Sequence, residues 1–386
     1  MERVTEICLL GATGSIGTQV LEIIRGKKEY KLTAVAFGRN LELGAKIIEE
    51  FRPGFVSVFS ETDMKKLQKE FPDLEFGYGE EGLLRAATFS KGTLVNALVG
   101  MVGVLPTVEA IKNGMRILLA NKETLVVAGD VINRLLKERG VDLIPIDSEH
   151  CALFQCLHAG REDVERLIIT ASGGPFRNLS RKELENVTVE DALKHPNWKM
   201  GPKITVDTAT MANKGLEVME AHHLFGFDYD RIEAVLHPES IIHGMVQYKD
   251  KSIIAQMALP DMRVPIQYAL TYPKRQENIK FKPLDLPRIG TLTFKKMDFE
   301  RYPVLEMAYR AGKAGGLLPA VFNAANEVAV SLFLQGKIKF LEIEEIISEA
   351  LTCFDNKKEP TLEEILACDS EVRKRILENY EVEQWK

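Results

Sequence analysis

Short apolar runs alternate with amphipathic helical segments over the first 146 residues of the chain. The apolar runs are predicted to be strands at residues 7–10, 32–37, 55–59, 93–98, 116–119 and 141–146. Helical spacing of apolar residues lies between them, first at about residues 15–25. Because strands that alternate with helical segments of about ten to fifteen residues build right-handed βαβ units, the pattern predicts an α/β domain with a doubly wound parallel sheet.

The pattern changes at residue 147. Apolar strands at residues 167–170 and 252–259, turns rich in glycine and proline, and a helix at about residues 210–224 indicate a central α+β domain. Residues 249–251 are expected to form the turn of a hairpin. Three prolines among many charges follow in residues 271–293, which is typical of an extended connector.

The last part of the chain is predicted to be α-helical. Five apolar residues there have the spacing of a helix with one buried face: Ile343, Ile346, Ile347, Ala350 and Leu351. A chain of 386 residues is long enough for two or three domains. We therefore expect four segments, namely residues 1–146, 147–270, 271–298 and 299–386, of which the third is the connector.

Composition excludes some classes of function. Lys and Arg number 50 against 56 Asp and Glu, so the net charge is −6 and the chain lacks the positive excess that binds nucleic acids or anionic membranes. Five scattered cysteines without a CxxC motif indicate reduced thiols. The apolar runs at residues 94–105 and 7–12 are too short for a membrane span and a signal peptide. We expect a cytoplasmic protein.

A glycine-rich loop follows the first predicted strand and opens the first predicted helix. Gly11, Gly14 and Gly17 have the spacing G-x-x-G-x-x-G, a variant of the usual dinucleotide fingerprint. Glycines allow a pyrophosphate to approach the backbone closely, and free N–H groups at the helix N-terminus stabilise its charge. A plain strand-to-helix turn is the alternative, but the βαβ context favours a Rossmann-like dinucleotide site.

Arg39 follows the second predicted strand. An NAD-binding domain has an acidic residue at this place for the ribose 2′-hydroxyl, whereas an arginine suits a 2′-phosphate. The sequence thus favours NADPH over NADH, with an ordinary surface charge as the alternative for Arg39.

Asp147, Ser148, Glu149 and His150 follow the predicted strand at residues 141–146. Ligands of open parallel sheets lie beyond the carboxyl ends of strands, and two carboxylates that face the same side repel unless a cation lies between them. Hard oxygen ligands favour Mg²⁺ or Mn²⁺. The alternative is helix capping by Asp147 or Ser148. His150 has no partner with the spacing of a zinc site, so we expect it to be structural.

Four further segments could contribute to a site. If a helix begins near Ala209, Asn213, Lys214 and Glu217 share one face that could bind an anion and a metal, and the alternative is an exposed ion pair. Residues 170–175 could form an anion nest or a plain turn. Residues 195–202, with Trp198, could form a lid or an ordinary loop anchored by a buried tryptophan. Lys122 could orient or protonate a substrate oxygen, or be a solvated lysine at a helix start.

These motifs, together with residues 237–240, occur in the order found in the 1-deoxy-D-xylulose 5-phosphate reductoisomerases of the non-mevalonate isoprenoid pathway, and the whole chain resembles this family. The resemblance implies rearrangement of 1-deoxy-D-xylulose 5-phosphate, through a branched aldehyde phosphate, to 2-C-methyl-D-erythritol 4-phosphate with hydride from NADPH. It also implies a homodimer, for which the strand through residues 252–257 is a candidate contact.

The resemblance implies roles for individual residues. The ligands of one divalent Mg²⁺ or Mn²⁺ ion would be Asp147, Glu149 and Glu217. Catalytic residues would be Lys122, Glu149 and His195. Substrate contacts would come from these three residues and from Ser148, Ser172, Trp198, Thr208, Asn213, Lys214 and Glu217. NADPH would contact Gly11, Thr13, Gly14, Ser15, Ile16, Gly38, Arg39, Asn40, Asn121, Glu123 and Gly201. Thr208 stands where the family usually has serine and keeps the hydroxyl.

Two other hypotheses compete with the reductoisomerase. A metal-independent NADP dehydrogenase of the semialdehyde or homoserine type explains the glycine-rich loop but leaves the three acids without a role. A non-catalytic NADPH sensor predicts cofactor binding without turnover. The reductoisomerase ranks first because it uses every motif.

Overall fold

The structure of the protein is a computed structural model that describes residues 4–198, 200–278 and 280–380. Lys199, in the predicted lid segment, lies outside the described residues. The chain divides into two compact units. The first comprises Met1–Thr124, Ile132–Asp147 and Asp261–Phe281, and the second comprises Leu125–Val131, Ser148–Pro260 and Lys282–Lys386.

The first unit contains a seven-stranded sheet in which every pair of neighbouring strands is parallel. Its strands are β1 (Thr5–Leu10), β2 (Tyr30–Ala36), β3 (Phe55–Val58), β4 (Glu75–Tyr78), β5 (Thr93–Asn96), β6 (Arg116–Leu119) and β7 (Leu143–Pro145). The order β4-β3-β2-β1-β5-β6-β7 reverses between β1 and β5. Ligands of such sheets bind at this switch point, beyond the carboxyl ends of the strands.

Six helices accompany these strands in the sequence. They are α1 (Ser15–Ile24), α2 (Leu41–Phe51), α3 (Glu61–Glu70), α4 (Gly79–Thr88), α5 (Val104–Lys112) and α6 (Lys122–Arg139). The central strand β1 is apolar because both its faces are covered: the side chains of Ile7, Cys8, Leu9 and Leu10 have no exposed surface. The six predicted strands are confirmed, with ends that differ by at most two residues, and β4 was not predicted.

The second unit contains a five-stranded sheet. Its strands are β8 (Val164–Ala171), β9 (Ile232–Leu236), β10 (Ile242–Tyr248), β11 (Ile253–Met257) and β12 (Lys295–Lys296), in the order β11-β10-β8-β9-β12. β10 runs antiparallel to both β8 and β11, whereas β8 and β9 are parallel. The predicted hairpin around residues 249–251 is therefore confirmed as β10 and β11.

The remaining helices complete the α/β fold class that the sequence predicts. They are α7 (Ser148–Cys156), α8 (Val189–Ala192), α9 (Pro202–Thr210), α10 (Ala212–Phe225), α11 (Arg263–Thr271), α12 (Leu286–Ile289), α13 (Pro303–Ala314), α14 (Leu318–Leu334), α15 (Glu342–Cys353) and α16 (Leu362–Asn379). The predicted C-terminal helices are confirmed, and Ile343, Ile346, Ile347 and Ala350 form the buried face of α15. The limits of the four segments stay a prediction.

The helix predicted at about residues 210–224 is confirmed as α10, which begins at Ala212 because Met211 adopts a left-handed φ of 65° and separates it from α9. The expectation of a wholly extended connector at residues 271–298 was wrong, since this segment contains the short helix α12. Its strand β12 is extended and pairs with β9. All five cysteines are free thiols, as expected. No described helix has both the length and the apolar character needed to cross a membrane.

Candidate active site

The glycine-rich loop of the first unit forms a close backbone crossing at the switch point. Gly11 has a φ of 80°, and a Cβ built on it would lie 2.4 Å from the Ala97 carbonyl oxygen. A Cβ on Gly17 would lie 2.2 Å from the Gly11 carbonyl oxygen. The N-terminus of α1 has neither a side-chain cap nor an acidic residue in its first turn. The backbone amides at this N-terminus are therefore neither capped by a side chain nor opposed by a negative charge. Such amides can bind an anion, so the loop fits the pyrophosphate of a dinucleotide.

Arg39 and Asn40 lie just beyond the carboxyl end of β2. Arg39 is exposed, and its guanidinium carbon lies 4.9 Å from the centroid of the Phe59 ring. Asn40 caps α2, since its Oδ1 accepts a hydrogen bond of 3.2 Å from the Leu43 amide. Sequence reasoning did not single out Phe59, because a lone exposed aromatic residue gives no signal.

Asn121 and Lys122 begin α6 and are both buried. The Asn121 side chain donates hydrogen bonds to the carbonyl oxygens of Leu98 and Gly100, at 3.1 and 2.9 Å, and so orders the loop after β5. Lys122 Nζ lies 2.7 Å from Asp147 Oδ2. The alternative that Lys122 is a solvated lysine is therefore wrong, and its ammonium is held at the sheet edge by a carboxylate.

The second unit brings together two carboxylates that are 68 residues apart in the sequence. Glu149 in α7 and Glu217 in α10 each offer an oxygen, and these oxygens lie within 4.8 Å of each other. Lys214 Nζ lies 2.8 Å from Glu149 Oε1 and also pairs with Glu217. Burial alone would lower the pKa of Lys214, but the two carboxylates outweigh it and raise that pKa above its usual value. Lys214 is 3% exposed, so the alternative of an exposed ion pair is wrong.

His150 holds α7 and α10 together behind these carboxylates. Its Nε2 donates to the main-chain oxygen of Glu217 at 2.8 Å, and its Nδ1 lies 3.2 Å from Glu220 Oε2. The imidazole is fully buried. α7 also packs closely against β10, because Gly244 in β10 has no side chain. A Cβ on Gly244 would lie 3.0 Å from the Glu149 carbonyl oxygen. His150 thus links α7 to α10, and its role as a purely structural residue stays a prediction.

This group has the donor chemistry of a divalent-cation site. Ser148 Oγ donates to Glu149 Oε2, and Asn213 Nδ2 donates to Glu217 Oε1, so both carboxylates are oriented by neighbours. Adjacent carboxylates offer hard oxygen ligands for Mg²⁺ or Mn²⁺. Asp147 immediately precedes Ser148 in the chain and supplies a third carboxylate close by in sequence.

His195 organises the segment around Trp198. Its Nδ1 accepts hydrogen bonds from the amides of Asn197 and Trp198, at 3.2 and 3.0 Å, so the ring proton resides on Nε2, 3.1 Å from Ser172 Oγ. Burial, assisted by the nearby Arg177 charge, lowers the pKa of His195 to about 4. The imidazole is therefore neutral at physiological pH and joins this segment to Ser172.

Asn197 is a residue of this segment that sequence reasoning missed. Its Nδ2 donates to the Pro238 carbonyl oxygen at 2.6 Å and to Ser240 Oγ at 2.9 Å. Pro238 and Ser240 therefore anchor the segment, a role that the sequence did not suggest. Trp198 lies edge-on to His243, with ring centroids 6.0 Å apart.

Thr208 lies on α9, apart from the α10 residues with which it was grouped. Its Oγ1 donates to the Thr205 carbonyl oxygen at 2.7 Å. Gly201 is exposed and precedes α9, whose N-terminus has no side-chain cap. The second unit thus brings Ser148, Glu149, Asn213, Lys214 and Glu217 into one group and links Ser172 to His195.

Comparison with protein families gives matches along most of the chain. A model described as 1-deoxy-D-xylulose 5-phosphate reductoisomerase matches residues 7–129. The C-terminal domain of the same enzyme matches residues 143–225, and a model described as the DXP reductoisomerase C-terminal domain matches residues 257–375.

Individual relatives agree with these matches. The 1-deoxy-D-xylulose 5-phosphate reductoisomerase of Geobacillus sp. is 54% identical over 374 residues, which cover 96% of this chain and 98% of the relative. That of Shouchella clausii is 55% identical over 375 residues, covering 96% of this chain and 99% of the relative.

Solved structures agree as well. The Zymomonas mobilis enzyme in complex with NADPH has a TM-score of 0.91 at 39% identity and covers 98% of this chain and 100% of its own. A DOX-P reductoisomerase in complex with NADPH, fosmidomycin and magnesium has a TM-score of 0.92 at 37% identity and covers 98% of both chains. The glycine-rich loop and the paired carboxylates agree with these near-complete matches. This chain therefore belongs to the 1-deoxy-D-xylulose 5-phosphate reductoisomerase family.

Proposed function

We propose that this protein rearranges and reduces 1-deoxy-D-xylulose 5-phosphate to 2-C-methyl-D-erythritol 4-phosphate, using NADPH and a divalent metal ion, in the non-mevalonate pathway to isoprenoid precursors. The observation that carries the proposal is the group of Glu149, Lys214 and Glu217, whose two carboxylates each offer an oxygen within 4.8 Å of the other, in a chain of this family. Lys214 compensates the charge of these carboxylates in the structure, and two neighbouring carboxylates offer the hard oxygen ligands that a divalent cation prefers.

The proposed site residues divide into metal-binding and substrate-binding sets. Asp147, Glu149 and Glu217 would hold one Mg²⁺ or Mn²⁺ ion, which when bound supplies a Lewis acid for substrate oxygens. Ser148 and Lys122 would contact the carbonyl and hydroxyl end of the substrate. The remaining substrate and phosphate contacts would come from Ser172, His195, Trp198, Thr208, Asn213 and Lys214.

The structure suggests how some of these residues act. Neutral His195 carries its proton on Nε2 and can donate a hydrogen bond without adding charge beside a phosphate. The ammonium of Lys122, at the N-terminus of α6, is held by Asp147 and can donate a hydrogen bond to a substrate oxygen. Binding energy from the phosphate would order the segment around Trp198 and exclude water from the reacting carbons.

NADPH, which supplies the hydride, would bind mainly on the first unit. The pyrophosphate would lie on the glycine-rich loop, against Gly11, Thr13, Gly14, Ser15 and Ile16, and Gly38, Arg39 and Asn40 would surround the adenosine 2′-phosphate. Asn121, Glu123 and Gly201 are the remaining proposed contacts. The Asn121 side chain is engaged within the protein, so its contact would pass through the loop that it orders.

The direct test is NADPH oxidation with 1-deoxy-D-xylulose 5-phosphate, followed by absorbance with and without Mn²⁺. We expect oxidation that requires the metal, that EDTA abolishes and that yields 2-C-methyl-D-erythritol 4-phosphate. Full activity of EDTA-treated protein would instead support a metal-independent dehydrogenase, and NADPH binding without turnover would support a sensor. Neither alternative gives a role to the neighbouring carboxylates of Glu149 and Glu217.

Exchange of Arg39 for aspartate is expected to lower the preference for NADPH over NADH by about tenfold or more, because a charge-assisted hydrogen bond to phosphate contributes about 1.5–3 kcal/mol. The measurement is the ratio of kcat/KM for the two cofactors. Arg52, in the left-handed position after α2, offers a matched surface control, and Arg52→Asp is expected to leave the ratio unchanged. An unchanged ratio in Arg39→Asp would remove Arg39 from the 2′-phosphate site.

A homodimer through β11 is also proposed. β11 is an edge strand, and Ile253 and Ile254 on it are 51% and 40% exposed. An apolar edge strand is prone to association unless another surface covers it. Light scattering is expected to give twice the chain mass, and the double variant Ile253→Glu, Ile254→Glu to give the monomer. Leu286→Glu, at an equally exposed apolar residue, is expected to leave the dimer intact, and a monomeric wild type would contradict the proposal.

A cytoplasmic location is proposed on the state of the cysteines. All five are free, and Cys8, Cys151 and Cys156 are buried. Unpaired thiols are typical of reducing compartments.

A further inference from the structure

Phe59 stands at the cofactor edge of the first unit without a role in the fold core. It directly follows β3, whose four residues are buried, yet its own side chain is 50% exposed. The carboxyl ends of β1, β2 and β3 share one edge of the parallel sheet, so Phe59 and the glycine-rich loop lie on the same edge. An exposed aromatic side chain by itself is ordinary. What distinguishes Phe59 is the residue that lies over its ring.

The guanidinium carbon of Arg39 lies 4.9 Å from the centre of the Phe59 ring. Parallel pairing of Ala36 with Ser57 brings the residues that follow β2 and β3 side by side. A guanidinium within about 6 Å of a ring centroid gains a cation–π attraction. Such contact uses the π face of the ring and leaves the N–H donors of the guanidinium available for hydrogen bonds.

An exposed arginine ordinarily loses side-chain entropy when it binds phosphate, because many rotamers collapse into one. The ring of Phe59 restricts those rotamers before the ligand arrives. We propose that Phe59 is a positioning residue that holds Arg39 ready for the adenosine 2′-phosphate, and so sets part of the preference for NADPH over NADH. This inference rests on the proposed role of Arg39.

The test compares the dissociation constants of NADPH and NADH, by fluorescence titration of the whole protein without substrate. Phe59→Ala is expected to weaken NADPH binding about three- to fivefold, which is the effect of losing an exposed cation–π contact. NADH binding is expected to stay unchanged. Phe59→Tyr keeps a π face and is expected to retain the wild-type ratio, whereas Phe59→Leu keeps the bulk without the π face and is expected to resemble Phe59→Ala.

Tyr78 supplies a matched control, since it is an aromatic residue at the end of the neighbouring strand β4 and is 45% exposed. Tyr78→Ala is expected to change neither constant. Phe59→Ala in an Arg39→Ala background is expected to have no further effect on NADPH.

Three outcomes would overturn the inference. They are equal weakening of NADPH and NADH in Phe59→Ala, no change in either, or an undiminished effect of Phe59→Ala without Arg39. Failure of the proposed Arg39 site would be visible separately, as an unchanged cofactor ratio in Arg39→Asp. If Arg39→Asp lowered the preference for NADPH while Phe59→Ala left both dissociation constants unchanged, only the positioning role of Phe59 would be refuted.

Discussion

Glutamine in place of Glu217 is expected to lower kcat with 1-deoxy-D-xylulose 5-phosphate about 100-fold or more. Glu217 is 1% exposed and is one of two carboxylates that the second unit places within 4.8 Å. Removing its charge weakens the attraction for a divalent cation, and changes to groups that only orient metal ligands already cost about 10–100-fold. The measurement is the initial rate of NADPH oxidation across a Mn²⁺ titration, in which high Mn²⁺ is expected to restore part of the rate.

Glu220→Gln is the matched control for this variant. Glu220 lies one turn further along α10, is also fully buried and pairs with His150 rather than with Lys214. We expect Glu220→Gln to leave the Mn²⁺ concentration for half-maximal rate unchanged. If both variants shifted that concentration alike, burial rather than metal binding would explain the effect. If Glu217→Gln kept the wild-type rate and Mn²⁺ dependence, its assignment as a ligand would be wrong.

Lys214→Ala should give a different kinetic profile from Glu217→Gln. Its ammonium is proposed to bind the substrate phosphate, and a hydrogen bond to a charged group contributes about 1.5–3 kcal/mol, so we expect KM to rise about 10–100-fold with a smaller fall in kcat. The structure pairs this ammonium with Glu149 and Glu217. Lys214 is not itself a proposed metal ligand, so the metal requirement is expected to persist. Identical profiles for the two variants would contradict this division of roles.

The buried part of the first sheet was predictable because its strands are apolar on both faces. β1 and β6 carry unbroken apolar runs, and such runs between helical segments are a strong signal of a parallel sheet. β4 was missed because it is an edge strand of Glu75, Phe76, Gly77 and Tyr78, with no buried residue. β12 was missed for the same reason, since it consists of two exposed lysines whose pairing with β9 is a tertiary contact.

The break between α9 and α10 had no readable signal. Met211 adopts a left-handed φ, which in sequence is indicated by glycine or asparagine rather than methionine. The helix predicted to begin near Ala209 therefore started about three residues before the observed N-terminus of α10. In the structure α9 begins earlier, at Pro202, and Thr208 belongs to it, while Asn213, Lys214 and Glu217 begin the next helix.

The chemistry of the candidate site was more predictable than its contacts. Residue type alone marked Asp147 and Glu149 as candidate oxygen ligands, with helix capping as the alternative, and their role as ligands stays a prediction. The position of the Lys214 ammonium between two carboxylates could not be derived, since it depends on how α7 packs against α10. The two hydrogen bonds that His195 accepts from backbone amides likewise depend on the conformation of the folded loop, which the sequence does not show.

Alanine in place of Gly17 is expected to destabilise the first unit by about 3 kcal/mol, at the upper end of the usual cost of overpacking. The added Cβ would lie 2.2 Å from the Gly11 carbonyl oxygen and 2.7 Å from the Ala12 Cα. Both are backbone atoms, so no side chain can rotate away, and α1 must shift from the loop. That shift moves the amides proposed to bind pyrophosphate, and NADPH affinity is expected to fall as well.

Thermal unfolding followed by circular dichroism measures this effect, and a loss of about 3 kcal/mol corresponds to a Tm lower by roughly 6–12 °C for a unit of this size. Gly38→Ala is the control, because its Cβ would meet no atom within 4 Å and its φ is not left-handed. We expect its Tm to stay within about 2 °C of the wild type, since unstrained Gly-to-Ala changes alter stability by under about 1 kcal/mol. A wild-type Tm in Gly17→Ala would mean that α1 can move away from β1 at little cost, and the close crossing could then not be what fixes the cofactor loop.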